Sequence, residues 1–112
     1  KNLMGVIWDR GVLHNNLGQS IADLNALVRP QLTVIDAVRI MTANGPTGGS
    51  LSYVKKLDTV IASLDVVAAD SYAASLFGLK PTGLAYIVAG TAMGLGRSDL
   101  ENLKIEQISL GT

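Results

Sequence analysis

No cysteine occurs in the 112 residues, which removes thiol catalysis, disulfides, thiolate zinc sites and any iron–sulfur cluster carried by this chain itself. Histidine is almost as scarce. His14 stands alone, so no multi-histidine metal site can form, and a lone histidine in an irregular segment reads first as a surface or hydrogen-bonding group. Trp8, Tyr53, Tyr72 and Tyr86 are too dispersed for a stacking platform. An excess of either charge is also missing. Nine basic residues balance nine acidic ones, so no global field favours nucleic acid, an anionic membrane or an acidic partner. The longest weakly polar stretch, Gly83 to Leu95, falls short of the ~20 apolar residues that a spanning helix needs. Nor does Lys1-Asn2-Leu3 begin with Met or show the charged, apolar and small-residue order of a signal peptide.

What is present is an apolar, weakly charged chain: 48% of the residues are hydrophobic and 16% charged. The length suits one domain over residues 1–112 with a single core and no disulfide or metal support. A mean hydropathy of +0.35 and the missing initiator Met lead to the expectation of a fragment, part of whose apolar surface belongs against remaining segments of a parent chain. A cytoplasmic setting is expected, without nucleic acid or membrane as partner.

Leu17, Ile21, Leu24 and Val28 recur at helical spacing behind the cap-like Asn16-x-x-Gln19, with Arg29 and Pro30 as the stop. Residues before them show no clean period and are expected to be mostly irregular. Leu32 to Val38 and Leu57 to Ser63 are β-branched apolar runs that read as buried strands. Asp65 is placed to cap a helix from Val66 to Phe77 with Val66, Ala69, Ala73, Leu76 and Phe77 on one stripe and Gly78 as its stop. Pro81-Thr82-Gly83 opens another helical run through Met93, and Ser98-x-x-Glu101 resembles a capping box for one short turn. Lys104 to Ile108 alternates polar and apolar residues as a half-exposed strand does. The expected fold is α/β, in the order α-β-β-α-α-β, with a small sheet of three or more strands and helices packed on it.

The candidate site centres on Asn44-Gly45-Pro46-Thr47-Gly48-Gly49, where glycines concentrated in one connection let backbone approach a ligand. The run lacks the Gly-Lys-Ser/Thr ending of a P-loop and does not match the dinucleotide fingerprint. Its N–H groups suit an anion-binding nest, with Thr42, Asn44 and Thr47 offering side-chain hydrogen bonds and Lys55 a counter-charge. Asp36, at an expected strand end, and Asp70, on a helix face of small residues, are the candidates to orient a ligand or exchange a proton. Thus Thr42, Asn44, Gly45, Thr47, Gly48, Gly49 and Lys55 form the expected ligand set, with Asp36 and Asp70 as catalytic candidates and no metal. The competing reading is a structural or interaction module whose loop merely joins two strands.

Read together, Leu32-Thr33-Val34-Ile35-Asp36-Ala37, the Asn44 to Gly49 loop, and Val60-Ile61-Ala62-Ser63 followed by Asp65-Val66-Val67-Ala68-Ala69-Asp70 resemble the family catalogued as domain of unknown function 362. Leu3-Met4-Gly5, His14 and Ile21-Ala22-Asp23-Leu24 resemble the stretch that precedes those motifs, so the resemblance runs from about Lys1 to Gly96. Val66 departs from the family's more usual Asp-Pro pair. Many members carry a ferredoxin-like iron–sulfur module, which implies redox work in those proteins. In a protein containing this chain, such a cluster belongs outside these residues. The matched Asp36, Asn44, Gly45, Pro46, Gly48, Asp65 and Asp70 are the site or fold determinants that the resemblance carries over.

Overall fold

The computed structural model describes residues 2–45 and 49–111. Two 3-10 turns, Asn2–Val6 and Arg10–Asn16, lead into helix α1, Leu17–Val28. The N-terminal stretch is therefore turned rather than irregular. Asn16 precedes α1 as expected, yet its side chain makes no capping bond, and Gln19 instead donates to Asp23 and to the Met93 sulfur. Arg29 ends α1 in the left-handed region at φ 51°, where its N–H closes on the Asn25 carbonyl.

Strands β1, Thr33–Met41, and β2, Val54–Ser63, pair antiparallel as one long hairpin. The register runs from Thr33 opposite Ser63 to Ala37 opposite Thr59, then shifts so that Arg39 meets Lys56. At the shift Leu57 and Asp58 together oppose Val38, a β-bulge whose extra residue, Asp58, takes φ 49°. The Asp36 carboxylate accepts the Val38 N–H at 3.0 Å beside the bulge. Both strands run further towards the connection than the apolar pattern indicated, because polar Lys55 and Lys56 still pair with Ile40 and Arg39 across the ladder.

Helix α2, Val66–Leu76, starts at an Asp65 cap whose carboxylate accepts the Ala68 N–H at 2.9 Å. It lies between the hairpin and helix α3, Ala85–Ala92. Consequently α2 buries two faces: Ala69 with the half-buried Ala73 and Leu76, and also Val67, Ser71 and Ala74. A 3-10 turn at Pro81–Gly83 introduces α3, and Gly94, at φ 73°, follows its end. Met4, Ile21 and Leu24 form one apolar cluster and Val67, Ala74 and Ile87 another, with Tyr86 packed against both.

The sheet among the described residues has two strands, which overturns the expectation of three or more. Lys104 to Ile108 follows a short 3-10 turn at Leu100–Asn102 and forms no ladder. Alternation alone does not make a strand; a backbone edge must come within ladder distance, about 4.8 Å. Here residues 103–110 and β2 are separated by a cleft of about 710 Å³, and the segment is tied instead by Gln107 donating to the Tyr72 hydroxyl at 2.8 Å. The fold remains α/β, but as three helices and an antiparallel hairpin, with α2 the helix packed on the sheet.

Candidate functional site

The glycine-rich connection is the tip of the hairpin. Thr42 closes it, its N–H and its hydroxyl both donating to the Tyr53 carbonyl, at 2.7 and 3.0 Å. Asn44 takes φ 56° and Gly49 φ 84°, so the chain leaves the ladder through two left-handed residues. A Cβ on Gly49 would stand 3.0 Å from the Tyr53 ring, which gives this glycine a packing role as well as a conformational one. Gly45 lies beside Met41. The expected loop ligands Thr47 and Gly48, with Pro46, lie outside the described residues.

Thr42, Asn44, Gly45 and Gly49 are thus gathered at one end of the hairpin, and the exposed Lys55 lies just inside β2, opposite Ile40. The two aspartates do not join them. Asp36 is not at a strand end: β1 continues to Met41, placing Asp36 about 16 Å along the strand from that end. It is exposed, while its neighbour Ala37 is buried on the opposite face. Asp70 is turned towards α1 and α3, in a crevice of about 30 Å³ lined by Asn25, Tyr86 and apolar side chains from all three helices. The sheet therefore separates the two acids, Asp36 on its bare face and Asp70 beneath the helical layer.

Asp70 is an acid whose surroundings disfavour its charged form. Burial pushes its carboxyl above the ordinary carboxylate range, since the low-polarity surroundings disfavour the charged form. The Tyr86 phenol is pushed up by burial and, secondarily, by the Asp70 charge. Asn25 donates its side-chain N–H to the Ile21 carbonyl at 2.8 Å, leaving its buried Oδ1 without a hydrogen-bond partner among the described residues. The sequence pattern singled out Asp70 but not Asn25 or Tyr86, which it had read as parts of a helix and a scattered aromatic set. Nothing in their local spacing signals the meeting of α1 with α3.

Asp65 has a structural task beyond its cap: its second carboxylate oxygen accepts the Arg97 N–H at 2.9 Å. The Arg97 side chain, in turn, hydrogen-bonds Asp99 and holds that carboxyl below its usual range. The large cleft along β2 holds Asp58, Lys104 and Glu106 at its border and none of the expected site residues. Among the described residues, no three histidine, aspartate or glutamate side chains converge as a metal-binding group. Among the described residues, no helix is long and apolar enough to cross a membrane.

Residues 1–75 match the family described as Domain of unknown function (DUF362), about two thirds of the chain, and the chain belongs to that family. The match covers α1, the hairpin and nearly all of α2, including Asp36, Asp65 and Asp70. No curated protein and no solved structure matches the chain.

Proposed function

We propose that this domain is an interaction module of a longer DUF362 protein, whose outer hairpin face is covered by further segments of the same parent chain. The observation that carries the reading is the bare apolar face of the sheet. Val34 and Val60 share one side with Asp36, 60 and 62% exposed, and Leu32 and Leu64, 60 and 82% exposed, stand just beyond the paired end of the strands. Strands that are apolar on both faces belong in a layer covered on both sides, and α2 covers only one. The accessible surface of 8051 Å² is roughly a third above the ~5,900 Å² usual for this mass. That surplus exceeds the ~800 Å² that one partner contributes to a standard interface. In a redox protein of this family, a cysteine-ligated cluster would belong to another segment, with this domain acting as scaffold.

The test is the double variant Val34→Lys, Val60→Lys, made both in this chain and in the full-length parent. The isolated domain keeps its Tm, because both positions are exposed, whereas the parent loses Tm and gains protease sensitivity. An unchanged parent defeats the reading. Ligand-dependent NMR shifts at Thr42, Asn44, Gly45 and Gly49, in a parent indifferent to the double variant, would support the glycine-rich loop as a site for a small polar or anionic ligand instead.

A further inference from the structure

The crevice between α1, α2 and α3 has an imbalance of hydrogen-bonding partners. It is lined by Asp70, Tyr86 and Asn25, and the buried Oδ1 of Asn25 has no hydrogen-bond partner among the described residues. The Asp70 carboxylate and that Oδ1 only accept hydrogen bonds, and the Tyr86 hydroxyl can accept as well as donate. The Asn25 amide donor is already committed to the Ile21 carbonyl. The remaining lining residues are Ile21, Ala22, Val66, Val67, Ile87, Gly90 and Leu95, so the crevice has no lysine or arginine in its lining. Asp23, the one charged residue of α1, is exposed and bonded to Gln19, and α3 carries no charged side chain at all. Among the described residues no lysine or arginine side chain lines the crevice, so one positively charged donor would serve both the partly buried carboxylate and the buried acceptor.

We propose that this crevice binds a primary ammonium group, supplied by a small amine or by a lysine side chain. Its three N–H donors match Asn25 Oδ1, the Asp70 carboxylate and the Tyr86 oxygen, and its charge compensates Asp70. The size agrees. About 30 Å³ admits a head group comparable to one water molecule and excludes a bulky quaternary amine. The raised Asp70 titration is the independent sign that the crevice, as it stands, disfavours the bare anion. The reading does not depend on the outer hairpin face, which lies across the sheet from the crevice.

Methylammonium chloride is the probe, with tetramethylammonium chloride at equal ionic strength as the control. Methylammonium raises Tm with the logarithm of its concentration above the dissociation constant, by about 6 °C at ten times that constant. It also lowers the Asp70 titration midpoint, followed by carboxyl carbon NMR. Tetramethylammonium, which has no N–H donor, does neither, and Asp70→Asn abolishes the methylammonium response while remaining folded. Acetyl-lysine amide separates the sources: a response equal to that of methylammonium assigns the crevice to lysine side chains, and no response assigns it to small free amines. Equal effects of the two ammonium salts, or a response that survives in Asp70→Asn, overturn the proposal. Asn25→Leu supplies a second check, since removal of the orphan acceptor weakens methylammonium binding if the head group sits where the crevice places it.

Discussion

Asp65 joins two parts of the chain that lie 32 positions apart: one carboxylate oxygen accepts the Ala68 N–H at the start of α2, and the other accepts the Arg97 N–H beyond α3, each at 2.9 Å. Gly96 passes so close to this carboxylate that a Cβ there would overlap it. The cap is therefore also a tertiary clasp, fixing the segment after α3 against the entrance of α2.

Asp65→Ala is expected to cost about 2 kcal/mol, the sum of a lost cap and a lost charge-assisted bond, and to lower Tm by about 10 °C. Asp65→Asn, which keeps one acceptor oxygen, should lose less. Gly96→Ala should also destabilise, but less so when Asp65 is already alanine. Urea unfolding of the four proteins measures the coupling, and additivity within about 0.5 kcal/mol would show that the close approach does not set the cost.

The Asp70 carboxyl titrates higher in the folded protein than in the unfolded chain, chiefly through burial. Its stabilising contribution is therefore present below the unfolded carboxylate value, near 4, and is lost as pH rises through the folded value. Asp70→Asn, uncharged throughout, should melt higher than the parent at pH 7 and converge with it as the pH falls to about 3.5. Thermal melts across that range decide the matter. A gain that stays constant with pH would place its origin elsewhere.

Ser71 is fully buried in α2, and its hydroxyl has no hydrogen-bond partner among the described residues. Ser71→Ala removes a desolvated hydroxyl and introduces the best helix former, so stability should rise by about 1 kcal/mol. Chemical denaturation gives the sign directly. A loss of stability would mean that the hydroxyl is bonded in solution.

Gly18 sits where α1 meets the start of α3. A Cβ there would stand 2.7 Å from Ala85 Cβ and 3.1 Å from backbone atoms of Ala85 and Tyr86. Gly18→Ala gains about 1 kcal/mol of helix propensity but meets backbone that cannot swing aside, at a cost of about 1–3 kcal/mol. A net loss is expected, partly recovered by Ala85→Gly. A variant more stable than the parent would show that the two helices separate freely.

Helix α1 and the start of α2 were legible from the sequence because their signals are local: Leu17, Ile21, Leu24 and Val28 mark one helical face, and Asp65 reaches a backbone N–H only three residues away. The β-branched runs likewise marked both strands, though not their full lengths, since Lys55 and Lys56 are held in β2 by a partner rather than by their own preference, and not their burial, since Val34 and Val60 are exposed where buried strands were expected. The alternation of Lys104 to Ile108 failed as a strand signal for the same reason, as no edge lies close enough to pair with it.

Sequence by itself determined where α1 and α2 start and, within a residue, stop, and that this chain brings no thiol chemistry, but it marked one buried face of α2 where the structure has two and leaves Phe77 exposed. Only the tertiary structure decided that Asp36 and Asp70 occupy opposite sides of the sheet, and that Asn25 and Tyr86, 61 positions apart, line one crevice with Asp70. Local periodicity fixes what a residue presents to its own element. Which groups meet is set by how the elements pack, and here the antiparallel pairing and the close Gly18–Ala85 approach made that choice.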